Sequence, residues 1–325
     1  MAEQVTMVQA INQALRYEMQ RDRSVIVLGE DVGVDGGVFR VTEGLLDAFG
    51  PERVLDTPLA ELGIVGGSVG MAIAGLRPVA EIQFSGFAYG AFDQLISHAS
   101  RIRSRSRGVY SCPMVLRMPY GGGIKALEHH SESMEALYTH TPGLKVAIPS
   151  SPAEAYGLLL SAIRDPDPVV FMEPKRLYRA MKEEIPSKEY VIPLGRANVV
   201  NEGSDVTVIS WGSMMLTTVQ AFQEYGSKVS MEIIDLRCPY PLDVETIIAS
   251  VKKTGRCVIV HEAPLTCGVG AEIAAQIADK ALLSLKAPVK RVTGFDTIFP
   301  LAKLEDEYLP SVKRIGKAIG EVMGY

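Results

Sequence analysis

Short apolar runs rich in Val and Ile, each followed by about 10 to 15 residues of helical pattern, recur along the chain and point to parallel sheets covered by helices on both faces. In the first half the runs fall at residues 25–28, 79–84, 114–116, 146–148 and 169–171, with a shorter one at Val54-Leu55. The alternation restarts at residues 206–211, 229–236, 258–260 and 289–292. Between the two series, residues 173–205 are charged, carry Pro174, Pro186 and Pro193, and lack strong periodicity apart from a short run at 190–192. The fold class that follows is α/β, with two doubly wound domains at residues 1–180 and 205–325 and a linker at 181–204.

At 325 residues with 47% apolar content, the chain has material for two substantial cores. A net charge of −5, with no long basic run, makes nucleic acid a poor partner. The segment RIRSRSRG after residue 100 reads as a solvated or interfacial helix end rather than a phosphate site. Cys112, Cys238, Cys257 and Cys267 show no CxxC spacing and read as reduced core residues of a cytoplasmic chain. No run approaches the ~20 apolar residues of a membrane span, so a membrane is not an expected partner.

The segment RVLDTPLAELGIVGGSVGMAIAGLRPVAEIQF, which starts at Arg53, sets Glu61 in the first turn of an apolar, glycine-rich helix. Pro58 supplies the signal for its start. A carboxylate there either complements the helix dipole or works chemically. Burial among Leu59, Ile64, Val65 and Met71 would disfavour its charge and let it hold a proton near neutral pH. Gly66, Gly67 and Gly70 each cost the helix roughly 1 kcal/mol, which close approach of a ring or tight helix packing would explain. Gln83, Phe84 and Phe87 follow the next strand, at the usual ligand position; Phe84 reads as core packing. The cluster His129-His130-Ser131-Glu132-Ser133 lies between a flexible Gly121-Gly122-Gly123 loop and a helix. His140 is nearby, but no cysteine and no H-x-x-x-H spacing accompany it, which argues against zinc. Trp211 reads as core, and Gly268-Val269-Gly270 as a helix start rather than a nucleotide site. The turn at residues 162–167 ends a helix with two acidic side chains.

These segments, with GEDVGVDGGVFRVTEGL, FDQ, HHSES, PGLKVAIPSSP and EPKRLYRA, resemble the beta subunit of 2-oxo acid dehydrogenase decarboxylases, thiamine diphosphate enzymes related to transketolase. The resemblance covers essentially the whole chain. It implies a transketolase-like pyrimidine-binding domain followed by a transketolase C-terminal domain. It implies that Glu61 hydrogen-bonds and activates the cofactor, that Leu59, Gln83 and Phe87 line the aminopyrimidine pocket, and that His130 rather than His129 faces the reacting centre. Glu132 stands where the family usually has Gln. The resemblance also implies a monovalent cation, K+, held at Met114, Ala162, Ile163, Asp165 and Asp167, since oxygen-rich turns suit hard cations.

The chain lacks the GDG segment and distal Asn that hold magnesium on the diphosphate; Val34-Asp35-Gly36-Gly37 is only a near match. The resemblance therefore implies that an alpha subunit supplies Mg2+ and the diphosphate half, in an alpha2beta2 heterotetramer. The implied reaction is oxidative decarboxylation of a 2-oxo acid with acyl transfer to lipoyl-lysine. EPKRLYRA, VIVHEAPLT and VTGFDTIFP look most like branched-chain members, with pyruvate and acetoin enzymes as alternatives, since one methylene changes discrimination by only ~1–3 kcal/mol. The Glu305-Asp306-Glu307 cluster reads as an association surface, which the resemblance assigns to docking of a dihydrolipoyl acyltransferase core. A nicotinamide-dependent dehydrogenase would need a complete glycine fingerprint after the first strand, where Gly29-Glu30-Asp31-Val32 stands instead. A non-catalytic assembly subunit is the remaining rival.

Overall fold

A computed structural model describes residues 4–185 and 189–325. The strands are β1 (Gln4–Val5), β2 (Val25–Gly29), β3 (Val54–Asp56), β4 (Arg77–Glu81), β5 (Val115–Tyr120), β6 (Lys145–Ala147), β7 (Val169–Pro174), β8 (Glu183–Glu184), β9 (Asn198–Asn201), β10 (Val206–Ser210), β11 (Met231–Asp235), β12 (Cys257–Pro264) and β13 (Lys290–Gly294). Six of them form a parallel sheet in the order β3-β2-β4-β5-β7-β6. Every residue of β2, β5 and β7 is buried, as parallel strands covered on both faces require. On one face the helix Met7–Arg21 packs against the helix Pro152–Arg164. The first of these starts at a capping box in which Gln9 N donates to Thr6 Oγ1 and Thr6 N donates to Gln9 Oε1.

The second sheet runs β13-β12-β10-β11-β9, parallel except for β9, which lies antiparallel at the edge. That edge strand was not legible as a run. Val199 and Val200 are exposed, and the segment pairs through its backbone instead of through burial. The helical pattern after Asp93 resolves into a π-turn at Gln94–His98 and a 3-10 turn at Ala99–Arg101, before the short helix Ile102–Arg105.

Arg117 on β5 is fully buried between two carboxylates from the neighbouring strands. Its Nη1 donates to Glu81 Oε2 on β4 at 2.6 Å, while Nε and Nη2 donate to the two oxygens of Glu173 on β7 at 2.7 and 2.9 Å. Tyr178 Oη donates to Glu173 Oε2 at 2.6 Å. Both carboxylates thus accept from the one guanidinium, and burial raises the Glu81 carboxyl above its usual range.

Trp211 is core, as its sequence context predicts, and stacks on His261 with ring centroids 5.1 Å apart and planes inclined by 15°. Burial pushes the His261 imidazole down to about 3, with Arg291 adding to the effect.

Replacing Arg117 by Met should strand two buried carboxylates and cost ~3–5 kcal/mol of stability, measured by urea denaturation; a loss under ~1 kcal/mol would show that the triad is dispensable. His261 has a depressed folded pKa, so the unfolded chain binds the extra proton between about pH 6.5 and about pH 3, and its contribution is lost as pH falls through that window. His261→Phe should therefore show a shallower loss of stability than the parent between pH 6 and 4; parallel curves would exclude this role.

Candidate active site at the carboxyl edge of the first sheet

The candidate residues converge where β2, β4, β5 and β7 end, because each strand hands over directly to a segment that carries one of them. After β2 come Glu30 and Asp31; after β3 comes the helix Glu61–Ile73, with Glu61 as its first residue. After β4 come Gln83, Phe84 and Phe87. Gln83 Nε2 donates to Asp31 Oδ2 at 2.9 Å, tying the β2 and β4 loops together.

The burial expected of Glu61 is only partly supplied by this chain. Glu61 is half-buried, and Leu59 is 80% exposed. The desolvated carboxyl is its neighbour Glu30, which sequence reading passed over. Glu30 is buried, its Oε1 has no hydrogen-bond partner among the described residues, and its pKa is raised by burial and then by the charge of Glu61. Its position one residue past β2 was the available signal. Of the helix glycines, Gly66 faces the side chain of Gln94, whereas Gly67 and Gly70 face open space and are exposed. The tight packing that they suggest is therefore not made within this chain.

His130 lies among aromatic rings, 4.5 Å from Phe84 and 5.1 Å from Phe87 between centroids, both edge-on. Its Nδ1 is buried without a partner among the described residues. Phe84, expected to be plain core, is the hub of this group: it also meets Phe39 at 5.6 Å and lies 5.7 Å from the Lys175 ammonium. His129 packs instead on Phe87 and Tyr89, with its Nδ1 3.9 Å from Glu132 Oε2. That carboxylate and the burial around it raise the Tyr89 hydroxyl above its usual range, burial first.

The loop at residues 121–125 is not free, in contrast to the flexible run that three glycines suggest. Gly121 and Gly123 have φ of +79° and +96°, and a Cβ on any of the three would collide with Glu262, Phe299 or Arg176. Gly122 N donates to Glu262 Oε2 at 3.0 Å, and Gly123 N donates to Glu305 Oε1 at 2.9 Å. Glu305 is consequently buried, which corrects its reading as part of an exposed acidic cluster; Asp306 remains exposed, 3.1 Å from the Lys125 ammonium.

The turn proposed for a cation lies at the opposite, amino edge of the sheet. There Lys145 Nζ donates to both oxygens of Asp165 at 2.7 and 2.6 Å, and Arg103 Nε donates to Asp167 Oδ1 at 2.6 Å. Arg77 Nη1 donates to the carbonyls of Ile163 and Asp165, and Val169 N donates to Met114 O at 3.0 Å. Both carboxylates are already paired with protein cations. No group of three His, Cys, Asp or Glu with metal-binding geometry occurs among the described residues. Cys112, Cys238 and Cys257 are buried, whereas Cys267 is exposed. No described helix is long and apolar enough to cross a membrane.

The carboxyl-edge residues fit one half of thiamine diphosphate. Aromatic rings and unpartnered polar atoms on Glu30 and His130 suit a flat, basic ring. Residues 3–181 match the transketolase pyrimidine-binding domain, and residues 195–315 the transketolase C-terminal domain. The chain is 52% identical over 316 residues to the pyruvate dehydrogenase E1 component subunit beta of Acholeplasma laidlawii, covering 97% of each chain. It is 51% identical to the protein of that name from Staphylococcus epidermidis, over 96% of each, and 48% identical to that from Staphylococcus aureus, over 99% of each. A solved split-gene transketolase, described as an inactive beta4 tetramer, superposes with a TM-score of 0.81 over 99% of both chains at 22% identity, which shows the shared fold. With these two domains and this identity along its whole length, the chain belongs to the beta subunits of the 2-oxo acid dehydrogenase E1 components, a transketolase-like family.

Proposed function

We propose that this chain is the beta half of a pyruvate-decarboxylating E1 component, working with an alpha subunit, thiamine diphosphate and Mg2+ and passing the acyl group to lipoyl-lysine. The observation that carries the reading is a half-site: pyrimidine-side carboxyls and aromatic rings gather at the carboxyl edge, while the sequence lacks the GDG segment and distal Asn that hold a diphosphate metal. The exposed apolar face beside Glu61, with Leu59 80% and Leu62 55% exposed, is the surface that an alpha subunit would cover. Covering it would also complete the desolvation of Glu61. The relatives' printed names favour pyruvate, whereas the segments EPKRLYRA and VIVHEAPLT favour a branched-chain acid as the second reading.

When bound, thiamine diphosphate supplies the nucleophile and the electron sink for decarboxylation. Glu61 would hold the proton at the pyrimidine ring nitrogen, with Glu30 keeping a second carboxyl close by. Leu59, Gln83 and Phe87 would wall the ring, and His130 would orient the substrate or lipoyl group. A monovalent cation such as K+ would be a structural ion on the carbonyls of Met114, Ala162 and Ile163, beside Asp165 and Asp167, which are already paired.

Co-expression with the alpha subunit should give thiamine-dependent turnover with kcat/KM for pyruvate above that for 3-methyl-2-oxobutanoate. The reverse order would restore the branched-chain reading, and no turnover of either would remove both. Glu61→Gln should leave assembly intact and lower decarboxylation by ~10²–10⁴; near-normal turnover would take Glu61 out of the mechanism. The isolated chain should show no tight, magnesium-dependent binding of thiamine diphosphate in calorimetry, and sub-micromolar binding would refute the half-site.

A further inference from the structure

Lys175 is the buried cation that the proposed reaction leaves unused. It follows β7 directly, is 3% exposed, and donates from Nζ to Gly121 O at 2.5 Å and to His130 O at 2.6 Å. Two backbone carbonyls do not neutralise an ammonium; the buried carboxylates of Glu262 and Glu305 act on it through their field, without a direct ion pair. Both belong to the C-terminal domain, Glu262 on β12 and Glu305 in the short helix Glu305–Tyr308. The same two carboxylates accept from the loop itself: Glu262 from Gly122 N, and Glu305 from Gly123 N and from Lys125 N at 3.1 Å. Ser213 Oγ donates to Glu262 Oε1 at 2.8 Å and orients it. The loop is therefore gripped at its amides by the C-terminal carboxylates and at its carbonyls by the Lys175 ammonium. Burial pushes Lys175 down to about 7, with the charges of Glu262 and Glu305 opposing the shift.

We propose that Lys175 is a positioning residue: while Glu262 and Glu305 of the C-terminal domain hold the loop's amides, its ammonium holds the carbonyls of Gly121 and His130 and so sets where the His130 imidazole stands. The C-terminal domain then governs the geometry of a residue that it does not carry. The effect on catalysis rests on the function proposed above; the effect on the loop does not.

Two measurements separate these. In the full chain alone, hydrogen exchange should quicken at least tenfold at the amides of 121–131 in Lys175→Met, and in the isosteric Glu305→Gln, relative to the parent, while the strands of both sheets keep their protection. Unchanged loop exchange in both variants, or uniform acceleration throughout in both, would overturn the clamp. In the assembled complex, Lys175→Met should lower acyl transfer to a lipoyl domain at least tenfold more than decarboxylation read with an artificial acceptor. Combined with His130→Ala, it should add less than twofold to the loss from His130→Ala alone. Multiplicative losses would mean that Lys175 does not act through His130 and would overturn the positioning role. A parent complex without 2-oxo acid turnover would refute the function while leaving the exchange test of the clamp standing.

Discussion

The Arg117 triad is the constraint on which the site depends. Its three charged side chains come from β4, β5 and β7, and each sits near the end of its strand, one to five residues before a site segment. The β4 segment carries Gln83, Phe84 and Phe87, the β5 segment carries the glycine loop and His130, and β7 runs directly into Lys175. A bidentate Arg–Glu pair tolerates little displacement along the strand axis, so the triad sets the relative heights of three strands and of the loops that leave them. Replacing it by apolar side chains of equal volume would keep a core but lose that registration.

Buried charge recurs wherever the two domains meet the site. Lys175 with Glu262 and Glu305 ties the His130 loop to the C-terminal domain, and Glu135, pushed up to about 7 by burial, lies beside Trp211 at 3.4 Å. Such groups are costly unless mutually satisfied, so they favour a single domain arrangement over many loosely packed ones. The surface beside Glu61 is handled differently. The helix that begins at Glu61 leaves Leu59, Leu62, Gly67 and Gly70 open, which is economical only for a chain that buries them against another subunit.

Glu61, Gln83 and Phe87 stand out as candidates in the sequence because each follows a strand signal by a few residues, and His130 because it lies between a glycine run and a helix; such local spacing is what a sequence displays. Glu30 was missed although it obeys the same rule, because Gly29-Glu30-Asp31-Val32 reads only as a missing glycine fingerprint. Phe84 was misread as core because aromatic residues next to strands usually are, and its contact with His130 joins residues 46 apart in the chain. Glu305 was misread for a similar reason. Three successive acids look solvated, and only the fold reveals that the first of them meets amides some 180 residues away.

Alternation of apolar runs and helical patterns determined the two α/β layers, their order and the strand ends at which chemistry collects, because side-chain periodicity and burial are local properties of the chain. The tertiary structure alone decided which carboxylate is desolvated, that the three glycines form a gripped loop instead of a loose one, and that the amides of that loop are held by carboxylates of the second domain. Those outcomes depend on charges and steric contacts between residues far apart in sequence, and their energies exist only once the low-dielectric interior that surrounds them has formed.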